Sequence, residues 1–410
     1  MRKGLSSTYD FSSTYRENLE RGPGFEGELP PLREALPRPC RLLDFELGSP
    51  FGIPAGLLLD SRWISLYARL GFDLLTYKTV RTRRQESLPF PNCLFVGPED
   101  FEEASPGPPG RAPLPEGRRR ASALLEEQAQ GGQQMLRSLI GEEEGPPVWQ
   151  LSPGALPPRL RARLQLQPRH LEEITITNSF GMPSRDPSVW QADMERSKSL
   201  LQKGQILIAS VVGSSDPREG LSGLTEDYVR CAMLAQEARA DIIELNYSCP
   251  NSSSKEGALY ADPETSSHIS GRVQRALRGT PLFLKVGYFP HDEPLDAVVH
   301  ANAPFVQGIV GINSVKLPVA GPDGEEVLPG RSESGICGAG IRRCGLDFVG
   351  KVAEIRKRER YDFVLVGVGG VMTPRDIERY LALGADAVQS CTGAMWNPYL
   401  AQEWHKQVSS

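Results

Sequence analysis

The sequence predicts a (β/α)8 TIM barrel carrying a long insertion and an N-terminal extension. Three observations point there. Eight short apolar runs begin near residues 51, 74, 207, 241, 282, 308, 363 and 385. Each reads as a parallel strand buried on both faces, and helical spacing separates most of them. The third observation is length: 410 residues suffice for one large barrel with insertions. A doubly wound open sheet is the structural alternative, but a total of eight strands favours closure.

In chain order, residues 1–45 read as an irregular extension rich in Gly and Pro, and residues 46–410 as the barrel. Its first part, Met1 to Glu20, is polar and aromatic with no apolar core, unlike a signal peptide. Residues 31–50 offer no amphipathic helix suited to membrane anchoring. The first strand, Gly52-Ile-Pro-Ala-Gly56, leads to a helix over 61–70 with Trp63, Leu66, Tyr67 and Leu70 on one face. Leu74 to Val80 is the second strand. An insertion at about 97–170 then interrupts the rhythm. It is Pro/Gly-rich and charged, with Arg118-Arg119-Arg120 reading as a solvated face and one helix expected over 121–140. Beyond it the alternation resumes. Helices are expected over 226–239, 263–277, 294–301, 347–357, 374–383 and 398–406, and a hairpin turn at Gly321-Pro-Asp-Gly324.

Composition excludes several classes. The net charge of 46 − 51 = −5 leaves no nucleic-acid footprint. Seven scattered cysteines form no Cys-x-x-Cys pair, and five histidines argue against a His-based metal site. This cysteine usage fits a reducing cytoplasm better than a disulfide framework. No run approaches the ~20 apolar residues of a membrane span.

The chemistry falls at the carboxyl ends of the strands, where barrels carry their sites. In Asp241-Ile-Ile-Glu-Leu-Asn-Tyr-Ser-Cys-Pro-Asn251, an apolar strand turns abruptly polar. Cys249 there lies between the amides of Asn246 and Asn251; taken alone it reads first as a small buried hydrophobe. Lys78, in Tyr77-Lys78-Thr79, and Lys285 are cations inside apolar strands, which calls for an anion or strong acceptor nearby. A Schiff-base lysine is the rival use. Asn178 and Gly181, in Thr177-Asn-Ser-Phe-Gly-Met-Pro183, offer an amide and a close backbone approach. Ile312-Asn313-Ser314 adds another amide and a hydroxyl. Gly369-Gly370 and Ser390-Cys391-Thr392-Gly393 follow strands seven and eight, where barrels often hold phosphate. The thiol of Cys391 reads as structural, with only its backbone near a ligand.

In this order the clusters resemble the dihydroorotate dehydrogenase family of FMN-dependent barrels, over roughly residues 50–96 and 174–400. The resemblance rests on Gly71-Phe-Asp-Leu-Leu-Thr-Tyr-Lys-Thr-Val80, Asn178-Ser-Phe-Gly-Met-Pro183, Asn246-Tyr-Ser-Cys-Pro-Asn251, Gly311-Ile-Asn-Ser314, Gly367-Val-Gly-Gly370 and Gln389-Ser-Cys-Thr392. It implies a catalytic base at Cys249, as in the soluble, cysteine-bearing branch. It implies that Lys78, Asn178, Asn246, Asn251, Asn313 and Ser314 hold flavin or substrate. Backbone contacts to a substrate carboxylate fall at Gly181 and Met182. FMN contacts fall at Ala55, Gly56, Lys78, Thr79, Asn246, Lys285, Ile312, Gly338, Gly369, Gly370, Cys391 and Thr392. The chain departs from the family after Ala55-Gly56, where Leu57-Leu-Leu-Asp-Ser61 is bulkier, and after Asn251, where Ser252-Ser-Ser-Lys-Glu-Gly257 lacks the usual turn residues. The 97–170 insertion is foreign to ordinary members.

The expected reaction is oxidation of dihydroorotate to orotate, with the hydride going to FMN and the proton to Cys249. The rivals are a related flavoprotein acting on another cyclic dihydropyrimidine-like or enone compound, a non-redox phosphate-binding lyase, and a non-catalytic FMN scaffold. Family resemblance suggests a homodimer. Fumarate, NAD through a partner flavoprotein, and quinone are all candidate electron acceptors. The missing membrane segment weighs modestly against quinone.

Overall fold

The structure, a computed structural model, describes residues 7–33, 35–96, 170–214, 218–248, 259–289, 291–319 and 326–408. The expected helix at 121–140 and the turn at 321–324 lie outside these residues, as do Cys249 and Asn251. The N-terminal region is not wholly irregular. It contains helix α1 (Tyr15–Arg21) and an antiparallel hairpin of β1 (Cys40–Leu42) and β2 (Phe45–Leu47). The cause of α1 is a capping box: Thr14 accepts from the Glu17 amide while the Glu17 carboxylate accepts from the Thr14 amide.

Then come β3 (Phe51–Leu58), α2 (Ser61–Arg69), β4 (Leu74–Val80), β5 (Thr175–Asn178), α3 (Pro187–Ser199), β6 (Ile206–Val211), α4 (Gly220–Glu237) and β7 (Ile242–Asn246). They are followed by α5 (Pro263–Ala276), β8 (Leu282–Lys285), α6 (Asp292–Asn302), β9 (Gly308–Gly311), β10 (Val315–Pro318), β11 (Glu333–Gly338), α7 (Arg342–Glu359), β12 (Val364–Val368), α8 (Pro374–Ala382), β13 (Ala387–Gln389), α9 (Thr392–Trp396) and α10 (Leu400–Val408). The eight strands anticipated from the apolar runs form a closed parallel barrel in the order β12-β13-β3-β4-β6-β7-β8-β9. Closure is made by Val388 beside Phe51. Helix starts follow local chemistry. Asp60 caps α2 by accepting from the amides of Arg62 and Trp63, and Asp262 and Thr373 cap α5 and α8, each with proline in the first turn.

Two features position the site. Inside the barrel, Leu74, Ile206, Ile242, Phe283, Val310, Val366 and Ala387 form an apolar plug joined by Leu42 and Leu47 of the hairpin. Leu74, Ile206 and Ile242 begin their strands, so the hairpin stoppers the amino end and leaves the carboxyl end for ligands. At that carboxyl end β10, β11 and β5 make a separate antiparallel sheet, pairing Val315 with Ile336 and Gly335 with Asn178. The segment carrying Asn178 is thus partly a strand. Helix α3 was also not anticipated; its buried face is only Trp190, Met194 and Ser197.

The described residues flanking 97–169 lie side by side. Val96 N donates to Thr175 O at 2.9 Å, and Thr177 N to Leu94 O at 2.8 Å.

Candidate active site

A cavity at the carboxyl end of the barrel encloses about 1100 Å³ of empty space, its open mouth included. It gathers Ala55, Gly56, Lys78, Thr79, Asn178, Gly181, Met182, Asn246, Lys285, Asn313, Gly338, Gly369, Gly370, Cys391 and Thr392, which the sequence scatters over more than three hundred positions. Ile312 and Ser314 do not line it. Ile312 is fully buried, and its Cγ1 lies 3.0 Å from where a Cβ at Gly369 would stand, so it backs the glycine.

Strand alternation alone would aim either Lys78 or Thr79 outward. The pairing of β4 with β6 shifts register between Tyr77 and Val80, and both residues reach the cavity. Tyr77 faces the other way, donating to Asp193 at 2.5 Å and accepting from Arg185 at 2.6 Å. Thr79 Oγ1 shares a 3.0 Å hydrogen bond with Ser210 and accepts from Asn246 Nδ2 at 3.1 Å. The other end of the Asn246 amide accepts from Ser248 N at 3.3 Å. Asn313 Nδ2 donates to the Ser248 carbonyl, so two strand ends hold the residue just before Cys249.

The loop carrying Gly181 and Met182 is bolted down by arginines. Buried Arg81 donates through Nε to Met182 O at 3.1 Å and through Nη1 to Ser214 Oγ at 3.0 Å. Arg331 donates to Ser179 O at 2.7 Å and to Pro89 O at 2.6 Å. Gly181 sits at φ +68, a conformation suited to glycine. Beyond β12, Gly369 and Gly370 have φ of +121 and +66. Their carbonyls are engaged from behind, Gly369 by the Tyr380 hydroxyl at 2.5 Å and Gly370 by Arg342 Nε at 3.0 Å.

The floor is cationic and deeply buried, with Lys285 1 % exposed. Three thiols, Cys93, Cys337 and Cys391, also line the cavity. Burial pushes Cys391 up to about 11, although Lys285 and Lys78 pull the other way. It pushes Cys337 up to about 12 and Cys93 well above the usual thiol range. Burial thus disfavours the thiolate form at all three.

Sequence reasoning missed part of the wall. Tyr9 and Tyr15 of the N-terminal region line the cavity beside Phe180, with ring centroids 5.6 Å and 6.1 Å from it. The region is fastened by Thr8 N donating to Met395 O at 2.9 Å and by the Thr8–Tyr67 hydroxyl pair at 2.8 Å. The Thr14-x-x-Glu17 pattern was the available signal for α1, but nothing in the sequence ties it to the barrel mouth. Gln389 also lines the cavity. Its Nε2 donates to Thr76 Oγ1 at 3.1 Å, while among the described residues its buried Oε1 has no partner; nor has the Ser248 hydroxyl.

Three comparisons agree with this architecture. The family model for dihydroorotate dehydrogenase matches residues 165–410. Dihydroorotate dehydrogenase of Dictyostelium discoideum is 32% identical over 405 residues, covering 97% of this chain and 96% of that protein. The catalytic subunit of dihydroorotate dehydrogenase B (NAD(+)) of Methanocaldococcus jannaschii is 27% identical over 225 residues, 54% of this chain and 67% of that protein. In fold, the chain is similar to the crystal structure of the Eimeria tenella enzyme in complex with ferulenol. The TM-score is 0.61 at 13% identity, covering 93% of this chain and 86% of the other.

Proposed function

Because the chain belongs to the dihydroorotate dehydrogenase family, we propose that it oxidises dihydroorotate to orotate in this cavity, with FMN bound and Cys249 as base. It is an oxidoreductase acting on a CH–CH bond. The observation that carries the finer reading is the convergence on one cavity of two buried lysines and the amides of Asn178, Asn246 and Asn313.

The donor set fits FMN. Orphaned Gln389 Oε1 and Ser248 Oγ are buried polar atoms that a ring with donors and acceptors would satisfy. Gly369, Gly370 and Thr392 offer backbone at the end suited to phosphate. Bound FMN supplies the hydride acceptor. Lys78 and Lys285 favour negative charge over the floor. Asn178, Asn246 and Asn313 orient a uracil-like ring, and the backbone at Gly181 and Met182 receives its carboxylate. Cys249 takes the proton from the carbon adjoining the one that loses hydride. Burial raises the three described cavity thiols, which makes them poorer bases than an ordinary cysteine.

We place the protein in the cytoplasm, where reducing conditions keep thiols free; its six described cysteines are unpaired. No helix among the described residues is long and apolar enough to cross a membrane. We read it as a homodimer by family resemblance. The decisive experiment is anaerobic addition of dihydroorotate to the purified protein. Bleaching of a yellow, FMN-releasing protein supports the reading, and a colourless protein that FMN cannot reconstitute overturns it. Reoxidation with fumarate, NAD+ or a quinone then identifies the acceptor.

A further inference from the structure

Glu244, in the middle of β7, is completely buried, and neither of its carboxylate oxygens has a hydrogen-bond partner among the described residues. Alternation along β7 puts Ile242, Glu244 and Asn246 on one face. Ile242 belongs to the apolar plug and Asn246 lines the cavity, so Glu244 occupies the barrel layer between them. Its neighbours in register are Ser210 on β6 and Phe283 on β8. Phe283 has no donor to offer, and the Ser210 hydroxyl is paired with Thr79.

Lys285 is the other half of this arrangement. It is in register with Asn246, which makes it the diagonal neighbour of Glu244, with Cα atoms ~8 Å apart from strand spacing and rise. Its ammonium makes one hydrogen bond among the described residues, to Ala55 O at a long 3.5 Å. A buried carboxylate and a buried ammonium are each very costly alone. Opposite charges on the same inner face offset each other through a medium of low dielectric, even beyond contact distance.

We propose that Glu244 is a positioning residue that acts through Lys285: it holds the ammonium under the cavity floor and tempers the positive charge presented there. The proposal deepens the FMN reading and rests on it. The two lysines then present less than two full positive charges to a ligand, because a carboxylate stands behind one of them.

The test is a double-mutant cycle on the FMN-loaded protein, read as the flavin midpoint potential by dye equilibration. Glu244→Gln keeps the side chain's volume and removes its charge, and should raise the potential. In a Lys285→Met background the same change should shift the potential much less, because the lysine through which Glu244 acts is gone. A potential that falls or stays put in the single variant overturns the proposal, as does an equal shift in both backgrounds. A second cycle needs no flavin. Lys285→Met alone should lower the melting temperature, and adding Glu244→Leu should restore much of it; additive losses overturn the coupling. Failure to bind FMN would sink the functional reading yet leave this second cycle able to decide the pairing.

Discussion

The guanidinium of Arg81, one residue beyond β4, donates to the carbonyl of Met182 at 3.1 Å, so a barrel strand end holds the loop that follows β5. The same side chain reaches Gly213 O at 3.3 Å and Ser214 Oγ at 3.0 Å beyond β6. Arg81→Met removes all three bonds. Charged hydrogen bonds are worth roughly 1.5–3 kcal/mol each, but substrate binding should feel only the loop's displacement. The expected result is a KM for dihydroorotate raised about tenfold, or ~1.4 kcal/mol, with kcat much less affected. Steady-state kinetics on the variant, with FMN content measured alongside, checks the split.

Tyr9 gives a stability prediction. Its ring is buried and its hydroxyl finds at most a weak partner in Asn18 among the described residues, because that side-chain amide is already engaged with the backbone of Asp10 and Thr14. Tyr9→Phe relieves an unsatisfied buried group and should leave the ligand-free protein as stable or more stable, by up to ~1 kcal/mol. Tyr9→Ala should instead cost about 3–5 kcal/mol through the cavity left behind. Denaturant midpoints provide the comparison: that of Tyr9→Ala should fall well below the parent's, and that of Tyr9→Phe should not fall.

Cys249→Ala should retain FMN, because the lysines and the glycine pair lie on other strands. Flavin reduction by dihydroorotate should slow by ~10²–10⁴, the usual worth of a general base. Cys249→Ser should keep some activity, shifted to higher pH. Cys391→Ala and Cys337→Ala should leave the pH profile of reduction in place, since burial keeps both thiols protonated at about 11 and about 12. Stopped-flow absorbance under anaerobic conditions isolates the step. Equal rates for Cys249→Ala and the parent would remove the thiol from the mechanism.

His405, on α10, titrates at about 4, lowered from 6.5 by burial, with Arg33 and Arg38 pushing the same way. The unfolded chain therefore binds a proton between pH 6.5 and 4 that the native state refuses, and stability falls as pH drops through that window. Asp73 is raised to about 6 by burial, against the pull of Arg33. It works in the opposite sense, its stabilisation fading as pH rises from about 4 to 6. The informative quantity is thus the difference between the parent and His405→Gln. That difference should favour the parent at pH 7 and shrink by ~2 kcal/mol at pH 4.5, allowing for the ring's partial exposure. Urea unfolding at both pH values measures it.

The barrel strands were legible because a parallel strand buried on both faces is written almost entirely in apolar residues; Leu207 to Val212 and Phe363 to Val368 need no partner to be recognised. Most of the cavity's polar set was legible for the complementary reason, standing out where those runs end. Tyr9 and Tyr15 were not, because what brings them to the mouth is a hydrogen bond from Thr8 to Met395, nearly the whole chain away. Thr79 and Lys78 sharing one wall depends on a register shift that composition does not encode. Glu244 was hidden in plain view, one acid in an apolar strand, and only the lack of a partner gives it meaning. Helix α3 presents so narrow an apolar face that its period is faint, although Asp186-Pro187 marks its start.

The meeting of Val96 with Thr175 has a further consequence. Because the described chain ends meet at one spot, closing a longer excursion between them costs only a slowly growing entropy. The two segments that meet there carry Cys93 and Ile176, two residues of the cavity wall. A fluorescent domain or an affinity handle spliced between Val96 and Thr175 would be joined to the wall of the reaction chamber without rewriting any strand of the cylinder.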